Sequence, residues 1–224
     1  MPDVYAHIIF ANIVVERIDI TTDKWLLNFG SQGPDILGFI YPDLSNQMHY
    51  RYEIMLNNLS LYNELISLYL GYHTHYALDN LLHPIIKANS PTLKIHLLIE
   101  SCLDQIIAKA FWKKNIKDLS IADYIPAEIP VYAGNQLNAI IDSTFSFKLK
   151  ENFWQSALQH YFDIYRKAVK GESNIITYPE NPYKVLDDIL GQQGTKILLD
   201  AFEHAIETEY RALKSDIRHS RAKR

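Results

Sequence analysis

The sequence predicts an all-α fold, a single domain of about eight helices, on three observations. Apolar residues recur at three- and four-residue spacing over long segments, which is the period of an amphipathic helix. No segment of the 224 residues alternates apolar and polar side chains convincingly, as a half-buried strand does. With only 8 Gly and 9 Pro, the chain is also poor in the turn residues that a loop-rich β-sandwich needs.

Four long helices are predicted from this spacing. The segment from Leu59 to Leu82 is apolar on most sides, which predicts a central helix, and Pro84 is expected to end or kink it. A second helix is predicted from about Thr92 to Lys114, after a Ser-Pro-Thr capping sequence. Two amphipathic helices are predicted from Asn152 to Lys170 and from Lys196 to Leu213.

The domain organisation follows from the absence of internal repeats and low-complexity linkers, which predicts one domain over residues 1–213. Three segments, which begin at Gly30, Asp123 and Gly171, are predicted to be loops. Residues 214–224 form a basic tail in which five basic residues and one acidic residue give a net charge of +4. A frayed, solvated helix end explains this tail. The alternative is peripheral contact with anionic lipid headgroups, where each basic group contributes about 1 kcal/mol.

The N-terminal segment predicts a cytoplasmic protein. It carries no basic residue before Arg17, and His7 and Asn12 interrupt its apolar run, so it lacks the features of a secretory signal. No stretch approaches the roughly 18 to 20 apolar residues that a membrane-spanning helix needs. Charged residues make up 21% of the chain and the mean hydropathy is −0.14, values typical of a soluble globular protein.

Net charge and cysteine content exclude two further classes. The formal net charge of −4 argues against nucleic-acid binding through a basic surface. The single cysteine, Cys102, excludes an internal disulfide framework and a Cys-rich zinc finger. Cys102 lies within an apolar helical segment and is predicted to be a small buried side chain.

Histidines are concentrated in the first half of the chain, where six of the nine precede residue 97. His75, Asp79 and His83 are four residues apart and project from one helix face, since each four-residue step turns by only about 40°. His96 and Glu100 repeat this spacing on the next predicted helix. Imidazole nitrogens and carboxylate oxygens are the ligands that suit zinc where thiolates are absent. Two neighbouring helices with such rows predict a metal site.

The alternative for each row is a hydrogen-bonded pair with a structural role only. The surrounding sequence is apolar, however, and buried ionisable groups cost several kcal/mol unless they are paired or metal-bound, which favours a metal. Asp104 is either an acceptor that orients His96 or Glu100, or a residue on a solvated face. His73 points elsewhere on its helix and is predicted not to be a ligand. The same is predicted for three later histidines: His160, His204 and His219.

At these residues the sequence resembles the bacterial zinc-dependent phospholipase C family, which shares its fold with the P1/S1 single-strand nucleases. The matching motifs are YAHIIFA, GSQGPDI, QMHYRYE, HYALD, the histidine before Pro84, and HLLIE. Their functional positions follow the family's order: His7, Asp35, His49, His75, Asp79, His83, His96 and Glu100. The motif resemblance covers about residues 1–104, and the remainder agrees with the family in being helical.

The resemblance implies two or three zinc ions and a hydrolase whose metal-activated water attacks a phosphodiester, such as a phospholipid headgroup linkage. By this resemblance, one zinc would be bound by Asp35, His49, His75 and Asp79. A second would be bound by His83, His96 and Glu100. A third would be bound by His7, with Asp79 bridging back to the first. Asp35 is also the candidate catalytic residue, which would orient or deprotonate the attacking water.

The sequence departs from the family at the N-terminus. In the secreted relatives, the amine and carbonyl of an N-terminal tryptophan complete the third zinc site, and this chain begins Met1-Pro2 instead. The hypothesis is that the backbone nitrogen and carbonyl of Pro2 replace these ligands. The spacing from Asp79 to His83 is also shorter than in the secreted enzymes.

Two alternative functions stay open at this point. The first is a P1/S1-like nuclease, which needs an aromatic platform for base stacking. The second is a non-catalytic helical domain in which the metal is structural.

Overall fold

The structure, a computed structural model, describes the backbone of residues 4–150 and 152–222, and the side chains as far as residue 216. This part of the chain contains helices and no strand, which confirms the all-α fold. Its eleven α-helices are Val4–Ile18 (α1), Lys24–Ser31 (α2), Asp35–Gly38 (α3), Pro42–Tyr50 (α4), Tyr52–Leu59 (α5), Ile66–Ala88 (α6), Leu93–Ile107 (α7), Val131–Phe145 (α8), Phe153–Val169 (α9), Pro182–Leu190 (α10) and Gly194–Ala222 (α11).

The segment from Gly30 is helical, so the loop predicted there is wrong. The end of α2, the whole of α3 and the start of α4 lie in it. Its Gly and Pro residues mark helix boundaries: Gly33 has φ +52° between α2 and α3, and Pro42 is the first residue of α4. A proline at that position loses nothing, because its amide would have no intrahelical partner there. These short helices account for most of the excess over the eight expected.

Helix α6 begins at Ile66, seven residues later than the sequence predicts, and it does not end at Pro84 but continues to Ala88. Pro84 cannot donate to the carbonyl of Asn80, and a proline inside a helix costs about 3 kcal/mol. The side chains of Leu82 and Ile86 on either side are 1% and 0% exposed. Their burial contributes about 1.5 to 3 kcal/mol each and offsets that cost.

The central position of α6 agrees with the prediction, since α1, α2, α5, α7 and α11 all pack against it. Its closest neighbour is α2, which crosses it where Gly30 faces Gly71. A Cβ atom on Gly71 would stand 2.4 Å from the carbonyl oxygen of Leu27, and one on Gly30 would stand 2.6 Å from that of Leu68. The two backbones are therefore in direct contact, which only glycine allows. This crossing places the start of α3 beside the middle of α6.

Helix α7 begins after Thr92, whose hydroxyl oxygen accepts a hydrogen bond from the Ile95 amide, as the capping sequence predicts. The α-helical part of α7 ends at Ile107 and passes into a π-helical turn over Ala108–Trp112. Helix α1 packs against α6, α7 and α11 and is buried along most of its length. Its first turns therefore lie close to the residues of both α6 and α7.

The C-terminal helix α11 packs against α1, α6 and α10. Its backbone continues through residues 214–222, and most side chains of the predicted basic tail lie outside the described residues. The domain boundary at residue 213 stays a prediction. Among the described helices, none combines the length and the apolar composition that crossing a membrane requires.

Candidate metal centre

The structure brings the eight predicted site residues together around one face of α6. Three come from α6 itself, two from α7 and one each from the helices α1, α3 and α4. They fall into three groups, in each of which the potential ligand atoms lie within 4.8 Å of one another. The groups are His7, Asp35 and His75; His49, His75 and Asp79; and His83, His96 and Glu100.

Asp79 lies at the centre of this cluster and connects its two halves. Its Oδ1 atom is 3.3 Å from His7 Nε2 and 3.5 Å from His83 Nε2. Its Oδ2 atom is 3.5 Å from His75 Nε2 and 3.7 Å from His49 Nε2. One carboxylate thus faces four imidazoles from three helices, as a bridging ligand would.

The remaining contacts complete the groups on either side of Asp79. Asp35 Oδ1 is 3.3 Å from His49 Nε2, at the side where α3 and α4 meet α6. On the opposite side, Glu100 Oε1 is 3.3 Å from His83 Nε2 and 2.7 Å from His96 Nε2. The second group therefore joins α6 to α7 through a shared carboxylate.

Burial of these groups without hydrogen bonds fits a bound cation. Glu100 is 0% exposed and Asp79 is 5% exposed. Within the described residues, hydrogen-bond partners of acceptable geometry are lacking for both Asp79 oxygens, for Glu100 Oε2 and for His83 Nε2. Buried polar atoms in proteins are nearly always bonded, and buried charges are paired or coordinate metals. The donor set of nitrogen and oxygen atoms is one that zinc accepts.

The protonation states of two central residues also suit a metal. Burial lowers the pKa of His75 to about 4, so its imidazole is neutral at pH 7. Burial alone would raise the pKa of Asp79, but the imidazoles of His75, His7 and His83 outweigh it and hold this pKa well below its usual range. Neutral imidazole and ionised carboxylate are the forms that bind metals.

Two other histidines are held in a more basic state. Burial would lower the pKa of His49, but its hydrogen bond with Asp35 and the charge of Asp79 raise the pKa above its usual value. The pKa of His83 is raised in the same way by Glu100 and Asp79, again against the effect of burial. A metal ion would therefore compete with protons for these two rings.

Backbone carbonyls orient two of the imidazoles. His75 Nδ1 lies 3.0 Å from the carbonyl oxygen of Ser31, and His49 Nδ1 lies 2.8 Å from that of Ser45. If each Nδ1 donates to its carbonyl, each Nε2 is left to coordinate a metal. The His75 ring also packs against Gly33, where a Cβ atom would stand 2.6 Å from the ring carbon Cδ2. Gly33 thus supplies both the positive φ and the space that this ring occupies.

The sequence identified Asp104 but not its partners. Asp104 is fully buried, so the solvated-face alternative is wrong. Its Oδ1 accepts a hydrogen bond from the Ala6 amide at 2.8 Å, and its Oδ2 accepts one from the Tyr178 hydroxyl at 3.3 Å. Asp104 therefore binds an amide of the first turn of α1, immediately before His7. A carboxylate at a helix N-terminus is stabilising because it pairs with orphan amides and the helix dipole.

We expect Asp104→Asn to lower the free energy of unfolding by about 1 to 3 kcal/mol, because it removes the charge that strengthens two buried hydrogen bonds. The milder variant Tyr178→Phe removes one hydrogen bond and should cost about 0.5 to 1.5 kcal/mol. Urea denaturation of the two variants and of the wild type measures both effects. Coincident transitions for Asp104→Asn and the wild type would show that this carboxylate does not anchor α1.

The other histidines lie outside the three groups, in agreement with the prediction for them. His73 Nδ1 lies 2.5 Å from Glu209 Oε1 and thus links α6 to α11. His160 and His204 are exposed, and the side chain of His219 lies outside the described residues. Cys102 is buried as predicted, and burial raises the pKa of its thiol to about 12. The hypothesis on Pro2 also concerns residues outside the described part of the chain.

The cluster lies at the floor of a cleft of about 450 Å³ between α4, α6 and α7. The four metal-site residues that reach this cleft are His49, Asp79, His83 and His96. The three histidines among them are partly exposed, whereas Asp79 is buried. The site is therefore accessible to a small molecule through this cleft.

Comparison with known proteins identifies the family. The sequence model of the zinc-dependent phospholipase C family matches residues 6–172, a span that includes all eight cluster residues and extends well beyond residue 104. Searches of curated proteins and of solved structures find no match to this chain. The all-α fold is that of the family. Because the match covers most of the chain, this protein belongs to the zinc-dependent phospholipase C family.

Proposed function

We propose that this protein is a zinc-dependent hydrolase of phosphodiesters, with phospholipid headgroup linkages as one substrate class. The observation that carries this proposal is the position of the His/carboxylate cluster at the floor of an open cleft. A structural zinc site is closed by protein ligands, whereas a catalytic site keeps a position open to substrate or water. A volume of about 450 Å³ is also typical of small-molecule sites.

Our ligand assignment uses all eight residues. Asp35, His49, His75 and Asp79 would hold one zinc ion, and His83, His96 and Glu100 would hold a second. His7 would hold a third ion together with Asp79, whose Oδ1 lies 3.3 Å from His7 Nε2. The carboxylate of Asp79 is then shared, which accounts for its contacts with four imidazoles.

In the proposed reaction, bound zinc would lower the pKa of a water molecule to about 7 and polarise the phosphoryl group. Asp35 would position the attacking water by accepting its hydrogen bond at a carboxylate oxygen. Burial raises the pKa of Asp35, but the hydrogen bond from His49 and the nearby His75 hold that pKa well below its usual range. An ionised carboxylate is an acceptor only, which suits it to orient the water.

The test combines metal analysis with hydrolysis. We expect the purified protein to contain two or three zinc ions and to hydrolyse bis(p-nitrophenyl) phosphate and a short-chain phosphatidylcholine. Asp35→Ala and Glu100→Ala should each lower kcat/KM at least about 100-fold, since even outer-shell partners of a metal cost 10- to 100-fold. His204→Ala, which removes an exposed histidine outside the cluster, is the matched control.

Each alternative function predicts a different result in the same assays. Faster hydrolysis of single-stranded DNA than of either diester would indicate the nuclease. Zinc binding without hydrolysis of any of these substrates would indicate a structural metal site. Unchanged turnover in both Asp35→Ala and Glu100→Ala would rule out the assignment of the cluster as the active site.

A further inference from the structure

The cleft above the cluster is lined by one positively charged side chain of the described residues, that of Lys87. This residue lies in the last turn of α6, four residues beyond His83, and both side chains line the cleft. Residues four apart on a helix have Cβ atoms about 5 to 6 Å apart on the same face. The ammonium group of Lys87 can therefore reach a substrate group next to one held at His83.

The ammonium group of Lys87 makes no ion pair and no hydrogen bond with the residues that the structure describes. Exposed Arg166 and Arg211, in contrast, each pair with a carboxylate on their own helix. Among the described residues that line the cleft, Lys87 is the only Lys or Arg, and Asp79 of the metal cluster is the only carboxylate. An anion that enters the cleft thus meets one available cation besides any metal.

We infer that the substrate headgroup, the group beyond the scissile phosphate, is itself anionic and is bound by Lys87. This inference rests on the proposed function and names its substrate class: phosphodiesters with a phosphorylated polyol headgroup. Asn46 and Asn80 also line the cleft, and their amides can both donate to and accept from polyol hydroxyls. Two kinds of molecule carry such a headgroup: an intact phospholipid and the corresponding deacylated diester.

A quaternary ammonium headgroup fits the same cleft poorly. It would meet the like charge of Lys87, and Asp79 of the cluster is the only carboxylate among the described lining residues. Recognition of such a cation by aromatic rings requires several ring faces held together around it. Of the two tyrosines that line the cleft, Tyr76 is stacked on Tyr52, which covers one face of its ring, and Tyr50 is mostly exposed.

The test compares headgroups on the zinc-loaded full-length protein. Three diesters are used, with 4-phosphoinositol, glycerol and choline headgroups, each as a dihexanoyl lipid and as the deacylated glycerol diester. We expect kcat/KM for the phosphoinositol diester to exceed that for the choline diester by about tenfold, the effect of one charge-assisted hydrogen bond. Lys87→Gln should remove most of this ratio, and Lys87→Glu should invert it.

Two further measurements separate recognition by Lys87 from a general effect of charge. Lys94→Gln removes an exposed lysine of α7 that does not line the cleft, and it should leave the ratio unchanged. The ratio should also fall toward one in 1 M salt, where the screening length is about 3 Å. Binding of inositol 1,4-bisphosphate, measured by calorimetry, should weaken about fivefold to tenfold in Lys87→Gln.

The outcomes distinguish failure of the inference from failure of the function. The inference would be wrong if the ratio of kcat/KM for the phosphoinositol and choline diesters were equal in the wild type and Lys87→Gln, or if choline were preferred. The proposed hydrolase function would be unaffected by either result. A preference in the lipid series alone would assign recognition to the lipid surface and overturn the inference too. If no diester in either series is hydrolysed, the proposed function fails and the inference fails with it.

Discussion

Asp79→Asn is expected to remove both hydrolysis and most of the bound zinc. Asparagine keeps the volume of the side chain but loses the charge that faces the imidazoles of His7, His49, His75 and His83. Because Asp79 lies between the two halves of the cluster, the loss affects both halves at once. Substitution of a residue that binds only one zinc ion would, in contrast, leave the other site intact.

The expected loss of zinc affinity for Asp79→Asn is at least about 100-fold, the upper range seen for outer-shell partners of metal ligands. Zinc content after dialysis against a weak chelator, together with kcat/KM on bis(p-nitrophenyl) phosphate, measures both effects. The matched control is Glu209→Gln, because Glu209 is also a buried carboxylate paired with a histidine of α6. This control should lower stability and leave zinc content unchanged.

The two variants separate a metal-binding role from a structural one. If Asp79→Asn and Glu209→Gln lost equal shares of zinc, the loss of a buried carboxylate would explain both results. The proposed bridging role of Asp79 would then be wrong. If Asp79→Asn lost zinc without losing hydrolysis, the metal would not belong to the reaction.

The long helices were predictable because their buried apolar residues recur in the sequence with the helical period. The predicted helix from Asn152 to Lys170 corresponds closely to α9, at Phe153–Val169. In contrast, α3 and α4 have four and nine residues, too few for a clear period, and their Gly and Pro residues read as breaks. The loop predicted from Gly30 was therefore wrong, because short helices begin and end at those residues.

The candidate site was also predictable only where its residues follow a local helical spacing. The rows on α6 and α7 were predictable from spacing alone, because residues four apart on one helix are neighbours. The approach of His7, Asp35 and His49 to α6 depends on contacts between distant segments, which no local period encodes. Only the resemblance to a family predicted that approach. The partners of Asp104 could not be predicted for the same reason, since Tyr178 is 74 residues away.

Gly71→Ala is expected to be the most destabilising single-methyl change in α6. The added Cβ would stand 2.4 Å from the carbonyl oxygen of Leu27 and 2.7 Å from Gly30, so backbone atoms of α2 must move. Overpacking of this kind costs about 1 to 3 kcal/mol, more than the roughly 1 kcal/mol that alanine gains over glycine in a helix. Urea denaturation should therefore show a lower midpoint for the variant.

Gly134→Ala in α8 provides the matched control, because the nearest atom to its added Cβ is the side-chain carbon Ile129 Cδ1 at 3.4 Å. That variant should unfold at the same or a higher urea concentration than the wild type, since alanine restricts the unfolded chain. Equal midpoints for the two variants would show that the crossing at Gly71 can relax without cost.

The same substitution also tests how the fold positions the metal cluster. Separation of α2 from α6 lengthens the contact between the Ser31 carbonyl and His75 Nδ1, which is 3.0 Å in the native crossing. Loss of such an orienting contact costs about 10- to 100-fold in metal affinity. We therefore expect Gly71→Ala to weaken zinc binding although glycine has no side chain to bind it. Zinc affinity equal to that of the wild type, at a lower unfolding midpoint, would show that the cluster is held by α6 and α7 alone.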